Sequence, residues 1–115
     1  MAGCTSPSSN EITIQEIQIV NKAKVSEEIA VEIKKGNETL YDENHTVQPA
    51  DSEPIPVISN DLPEVQGEAM FNAQVINSGS EASVSVQLSD EGCYKIIIEY
   101  TGSNMSIFSN RSESC

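Results

Sequence analysis

Hydrophobic and polar residues alternate along most of the chain after residue 10, which is the pattern of half-buried β-strands. The alternation slips by one position at Gln15-Glu16, where we expect a β-bulge in the first strand. Prolines interrupt the pattern between Pro49 and Pro63, so that only a short edge strand is expected there, at about 55–58. The other predicted strands lie at about 11–20, 29–33, 40–47, 70–76, 84–88, 94–100 and 105–109.

Turn-forming residues separate these segments at intervals of roughly 8 to 12 residues, and no segment has a helical period. A two-residue turn at Gly102-Ser103 would place Tyr100 opposite Met105. Seven or eight short strands of this kind predict a β-sandwich, with a β-barrel as the alternative. The predicted core consists of Ile17, Ile19, Ile29, Val31, Ile33, Phe71, Ala73, Val75, Val84, Val86, Tyr94, Ile96 and Ile98.

The first ten residues have no hydrophobic period and are rich in small polar residues, which predicts a flexible tether at 1–10 before a sandwich domain at 11–115. Ala2-Gly3-Cys4 resembles the end of a lipobox, the Leu-Ala-Gly-Cys site at which secreted lipoproteins are cleaved before the cysteine. Small residues before the cut are what a signal peptidase requires. The motif predicts a lipid on Cys4 and an extracellular domain anchored to the cell membrane. A chance cysteine in a tail is the alternative, since Met1 stands where the motif has leucine.

Acidic residues dominate the composition, with 18 Asp and Glu against six Lys and Arg and a net charge of −12. Nucleic acids and anionic membrane surfaces both require clustered cations. We therefore expect no nucleic-acid partner, and membrane contact only through the lipid anchor. Concentrated salt screens the repulsion among the carboxylates, which favours a salt-loving host over an ordinary acidic secreted domain.

Three cysteines are present, and if Cys4 carries the lipid, Cys93 and Cys115 remain as a pair. In the predicted last hairpin Cys93 lies opposite about residue 112, so that a disulfide to Cys115 is feasible. Two unpaired thiols are the alternative.

Four Asn-x-Ser/Thr motifs make the chain a candidate for N-glycosylation, which suits the exposed turns of an exported domain. Among them Asn37 is the best candidate, because it follows Gly36 in a predicted turn. Chance occurrence in a serine-rich chain is the alternative. The candidate asparagines are Asn37, Asn44, Asn104 and Asn110.

The sequence contains no recognisable catalytic or metal-binding motif. His45, Cys93 and Met105 suggest a blue-copper site, but such a site needs a second histidine and the chain has one. The acidic pairs in the turns do not match a calcium loop, so solvated acidic loops are favoured over a weak cation site. There is no Gly-x-Ser-x-Gly motif and no glycine-rich phosphate loop. We expect no enzymatic activity, no cofactor and no bound metal.

The order of these features resembles the small immunoglobulin-like domains of secreted haloarchaeal lipoproteins. In those domains a lipobox cysteine and a polar tether precede an Ile-x-Ile-Val-Asn strand, matched here by residues 17–21, and a Leu-Tyr strand, matched by Leu40-Tyr41. A later Gly-Cys-Tyr-x-Ile segment is matched by residues 92–96. The resemblance implies an immunoglobulin-like antiparallel β-sandwich of seven to eight strands, and it transfers no catalytic residues.

The sequence therefore predicts an exported, membrane-tethered, non-catalytic surface domain that acts in binding or in cell-surface structure. Its partner would be an unknown protein or a component of the cell envelope. Contact through an edge strand is expected, with the segment 54–56 and the first strand as candidate edges. A soluble secreted domain, or a fragment of a larger surface protein, is the alternative, and a small acidic cation-binding module is a third.

Overall fold

The computed structural model describes residues 11–49, 57–59, 62–76 and 81–113. These residues form nine strands and no helix, counting two strands of only two and three residues. The strands are β1 (Glu11–Asn21), β2 (Glu27–Lys35), β3 (Glu38–Val47), β4 (Val57–Ile58), β5 (Glu64–Gln66), β6 (Ala69–Ile76), β7 (Ser83–Leu88), β8 (Gly92–Tyr100) and β9 (Met105–Ser112).

The strands form two sheets that enclose the core between them. Sheet I has the order β4-β1-β8-β9. The short strand β5 also pairs with β1, on residues 11–13, whereas β4 pairs with residues 17–18. Sheet II has the order β3-β2-β6-β7. The predicted immunoglobulin-like β-sandwich is confirmed as the architecture of the described residues, with side chains of both sheets meeting in a single apolar layer.

One strand pair departs from the predicted antiparallel arrangement. β1 and β8 run parallel, with Ile12 opposite Gly92 and Asn21 opposite Tyr100. After β1 the chain forms β2 and β3 of sheet II, β4 and β5 of sheet I, and β6 and β7 of sheet II before it returns to sheet I as β8. No hairpin therefore forces β1 and β8 to oppose each other. The remaining strand pairs of the described residues are antiparallel.

The first strand was a candidate edge, and this prediction is wrong. β1 lies inside sheet I, between β8 on one side and the short strands β4 and β5 on the other. The second candidate edge, 54–56, lies outside the described residues. The described strands at the ends of the two sheet orders are β9 and β4 in sheet I and β3 and β7 in sheet II.

The predicted β-bulge in β1 is confirmed. The pairing of β1 with β8 shifts register between Ile14 and Glu16, which leaves Gln15 as the extra residue. Because one residue is added, the side chains of Ile12 and Ile14 and those of Ile17 and Ile19 all reach the same core.

The predicted core residues are buried, except for Val84 and Val86 of β7. These two are half-buried and pack against the core from the edge of sheet II. The register of the last hairpin is also as predicted, with Tyr100 opposite Met105, although β9 continues to Ser112 rather than ending at 109. Core residues that the sequence did not single out are Ile12, Ile14, Tyr41, Val47, Val65, Ala69, Leu88, Cys93 and Tyr100.

Candidate functional site

The cysteine predictions fall partly outside the described residues, which contain neither Cys4 nor Cys115. Cys93 lies near the start of β8, has 4% of its surface exposed and is disulfide-bonded. Cys93 pairs across the sheet with Ser112 of β9, which lies next to the last described residue, 113. The pairing of Cys93 with Cys115 stays a prediction, as does the lipid on Cys4.

All four candidate glycosylation sites are exposed. Asn37 lies in the turn between β2 and β3, and Asn44 lies on β3. Asn104 closes the turn between β8 and β9, where its backbone amide donates to the Thr101 hydroxyl at 3.1 Å. Asn110 lies within β9. Exposure permits glycosylation at each position but does not establish it.

His45 forms a local pair with Tyr41 on the edge strand β3. The Tyr41 hydroxyl lies 3.0 Å from Nε2 of His45, and the two rings are nearly parallel with their centres 6.4 Å apart. Partial burial lowers the pKa of His45, while the carboxylate of Glu43 opposes that shift. No group of three or more histidine, cysteine or acidic side chains with metal-binding geometry occurs among the described residues. The contact with Tyr41 therefore ties the His45 ring to its own strand, β3.

Tyr94 fixes the turn that precedes β8. Its hydroxyl donates to the carbonyl oxygen of Asp90 at 2.6 Å, and Nε of Arg111 donates to the carbonyl oxygen of Glu91 at 2.6 Å. The arrangement resembles the tyrosine corner of sandwich domains, in which a strand tyrosine bonds to backbone a few residues upstream. Burial raises the pKa of Tyr94, and the neighbouring Arg111 opposes this. The phenol thus stays a hydrogen-bond donor at neutral pH, which is a structural role.

The outer face of sheet II is polar. Ser85 donates to Oδ1 of Asn72 at 2.6 Å, and Nδ2 of Asn72 donates to Oε1 of Glu32 at 3.0 Å, forming a ladder across three strands. Beside this ladder is an open depression of about 200 Å³, and Ala30 is one of the residues that line it. That volume is below the ~300–1,000 Å³ typical of small-molecule sites. The amides of Asn72 and Gln74 can donate and accept hydrogen bonds here, and the carboxylates of Glu32 and Asp42 can accept them.

The outer face of sheet I carries an apolar patch that the sequence analysis missed. Phe108 on β9 is 54% exposed and lies directly opposite Ile97 on β8. A surface ion pair between Lys22 and Glu99, 3.2 Å apart, lies at one side of the same sheet. In the predicted hairpin register, Phe108 is one of the β9 residues that face away from the core. The sequence pattern therefore contained the information that Phe108 lies on the outer face.

No helix in the described part of the chain is long and apolar enough to cross a membrane.

Comparison with known proteins identifies no family for this chain. No known protein family matches the sequence, and no curated protein matches it either. Among solved structures, the chain is similar to the T6SS lipoprotein TssJ1 from Pseudomonas aeruginosa, with a TM-score of 0.46 and 8% sequence identity. The match covers 90% of this chain and 98% of that chain. At this level of similarity the comparison assigns neither a function nor any site residue.

Proposed function

We propose that the chain is an exported, membrane-tethered surface domain without catalytic activity, which acts by binding or as a structural part of the cell surface. The observation that carries this proposal is the position of Cys4 relative to the fold. β1 begins at Glu11, so six residues separate a lipidated Cys4 from the first strand. Six residues reach at most about 20 Å when fully extended. The sandwich would therefore stand close to the membrane.

The state of Cys93 supports an exported location. Disulfides persist in oxidising compartments and are rare in the cytosol. Cys93 is disulfide-bonded in the structure and is nearly inaccessible to solvent, which would protect the bond from small reductants. The exposed positions of the four glycosylation motifs are compatible with the same location.

The polar lining of the depression on sheet II, which includes Asn72 and Gln74, supports a binding role through hydrogen bonds. The two outer faces differ in character, since sheet II is polar and sheet I carries the patch of Phe108 and Ile97. A partner would thus meet either a hydrogen-bonding surface or an apolar one.

The test is the mass and location of the chain in its source cells. We expect a mature chain that begins at Cys4, carries lipid, fractionates with membranes and gains two hydrogen atoms when one disulfide is reduced. The Cys4→Ser variant should lose both the lipid and the membrane association. Cys115→Ser is the matched control, and it should stay lipidated but lose the disulfide if the predicted pairing with Cys93 is correct.

Three outcomes would contradict parts of the proposal. An exported chain without lipid would support the soluble secreted alternative. An unmodified chain with free thiols inside the cell would overturn the proposal altogether. Unfolding that is shifted by micromolar Ca²⁺ would favour the cation-binding alternative.

A further inference from the structure

We propose that Asn110 carries an N-linked glycan whose first sugar packs on the Phe108 ring and the neighbouring Ile97 side chain. The inference rests on the proposed export of the chain, because N-glycosylation occurs on exported proteins. It identifies what covers the apolar patch on the outer face of sheet I.

The geometry places the attachment point beside the patch. Phe108 and Asn110 are two residues apart on β9, so both side chains project from the same face of sheet I about 7 Å apart along the strand. Each has a cross-strand neighbour on β8, Ile97 opposite Phe108 and Lys95 opposite Asn110. Both Phe108 and Asn110 are exposed. A sugar joined to Asn110 can therefore reach Phe108 without any change in the backbone.

The chemistry of the patch matches a sugar ring. One face of a pyranose consists largely of C–H groups, and these pack against the face of an aromatic ring while the hydroxyl groups stay in water. An exposed phenylalanine leaves apolar surface in contact with water, so that covering the ring is favourable. Arg111, the middle residue of the motif, does not compete for this space, because its Nε donates to the carbonyl oxygen of Glu91 at 2.6 Å.

The other three motifs lack such a platform. The residues two positions before Asn37, Asn44 and Asn104 are Lys35, Asp42 and Gly102. None of these can stack on a sugar. Phe108 is also the one exposed large aromatic residue among those that the structure describes. The structure therefore favours Asn110 as the stabilised site, whereas the sequence alone favoured Asn37.

The modification is a group transfer that leaves oxidation states unchanged. The side-chain nitrogen of Asn110 attacks the anomeric carbon of an oligosaccharide linked to a lipid pyrophosphate, which is the donor. The new C–N bond forms as the C–O bond to the phosphate breaks, the amide nitrogen loses one proton, and the lipid pyrophosphate leaves. Ser112 supplies the hydroxyl residue of the motif.

The test uses the full chain with an added signal peptide in a secretory host that performs N-glycosylation. Export is then imposed, so the result does not depend on whether Cys4 is lipidated in the source cells. Glycopeptide mass spectrometry gives the occupancy of each motif. We expect Asn110 to be occupied and, after enzymatic trimming to one sugar, the melting temperature to exceed that of Asn110→Gln.

The role of Phe108 is tested by measuring the effect of the Asn110 sugar on the melting temperature in chains that carry a second substitution. In Phe108→Ala the rise in melting temperature caused by the sugar should fall by at least half, and in Phe108→Tyr it should persist. Met70→Ala is the matched control, because Met70 is another exposed apolar residue but lies on sheet II, away from Asn110. This control should retain the full rise.

Several outcomes would overturn the proposal. Asn110 could be unoccupied in the secreted chain, or its sugar could raise the melting temperature equally with and without Phe108. Alternatively, the unglycosylated chain could dimerise in sedimentation experiments, with Phe108→Ala abolishing the dimer. That result would assign the patch to a protein interface. If the chain is not anchored to the membrane in its source cells, the proposed function is contradicted. The proposal for Asn110 is unaffected, because its test imposes export.

Discussion

Asn21 is the one fully buried polar side chain among the described residues, and its contacts connect the two sheets. It ends β1 in sheet I, and its Nδ2 donates to the carbonyl oxygens of Val25 and of Val47, each at 2.9 Å. Its Oδ1 accepts from the backbone amide of Ala23 at 2.9 Å. Val47 ends β3 in sheet II, so one amide group satisfies three backbone groups where the sheets meet.

We expect Asn21→Ala to lower the free energy of unfolding by about 2–4 kcal/mol, because it removes the buried bond to the Val47 carbonyl and the part-buried bond to the Val25 carbonyl. Urea denaturation measures this change. Asn72→Ala is the matched control, since Asn72 makes two side-chain hydrogen bonds on the outer face, where water can replace them. Its loss should stay below about 1 kcal/mol. Equal losses in the two variants would show that Asn21 does not hold the sheets together.

The lowered pKa of His45 predicts that stability depends on pH in a particular direction. Partial burial lowers the folded-state pKa below the unfolded value of 6.5, with Glu43 opposing the shift. The unfolded chain then binds protons more readily, so the contribution is fully present above pH 6.5 and is lost as the pH falls through the folded pKa. We expect the melting temperature of the wild type to fall between pH 7 and pH 5 by more than that of His45→Gln. Parallel curves would contradict a perturbed His45.

At the scale of the elements, local patterns in the sequence predicted local structure. The slip at Gln15 and the register of Tyr100 opposite Met105 were predictable, because each depends on the side-chain period of one strand or one hairpin. The parallel pairing of β1 with β8 was not, since the two strands are separated by most of the chain and nothing local sets their direction. Val65 was missed for a related reason, as it lies in a three-residue strand beyond the proline-rich segment.

The candidate site was less predictable than the fold. The alternation of β9 places Phe108 and Asn110 on one outward face, and the predicted hairpin register puts Ile97 opposite Phe108. The exposure of Phe108 depends on whether another part of the chain covers this face, which the pattern does not specify. The role of Asn21 depends likewise on backbone carbonyl groups of two separate segments, which no spacing rule in the sequence specifies.

The start of β8 depends on Gly92, and its replacement should damage the β8–β9 hairpin. Gly92 has φ +139°, and a Cβ placed there would lie 2.7 Å from the carbonyl oxygen of Ser112 on β9. We expect Gly92→Ala to lower the free energy of unfolding by about 2–4 kcal/mol in urea denaturation, combining backbone strain with a clash against backbone.

Gly36→Ala is the matched control for this prediction. Gly36 also has a positive φ, of +60°, but a Cβ there would meet nothing within 4 Å. Its replacement should therefore cost only the conformational strain, about 1–2 kcal/mol. A loss at Gly36 as large as that at Gly92 would mean that the contact with Ser112 contributes nothing.

At the scale of the whole molecule, the dominant feature is uncompensated negative charge. Asp and Glu outnumber Lys and Arg by 18 to six, which gives the net charge of −12. The ion pair of Lys22 with Glu99 is largely exposed on its lysine side, and pairs of this kind contribute little. Repulsion among the remaining carboxylates opposes the compact state and weakens as salt screens it.

The free energy of unfolding in urea should therefore rise by about 1 kcal/mol or more as NaCl increases from 0.1 M to 1 M, over which the Debye length falls from about 10 Å to about 3 Å. KCl should act equally, because screening depends on ionic strength and not on the identity of the cation.

A triple variant that neutralises the exposed carboxylates of Glu38, Glu64 and Glu81 by Gln should be more stable at 0.1 M and respond less to salt. A flat response in the wild type would contradict this account of the acidic surface. A larger rise with CaCl₂ at matched ionic strength would show specific cation binding, which screening alone does not produce.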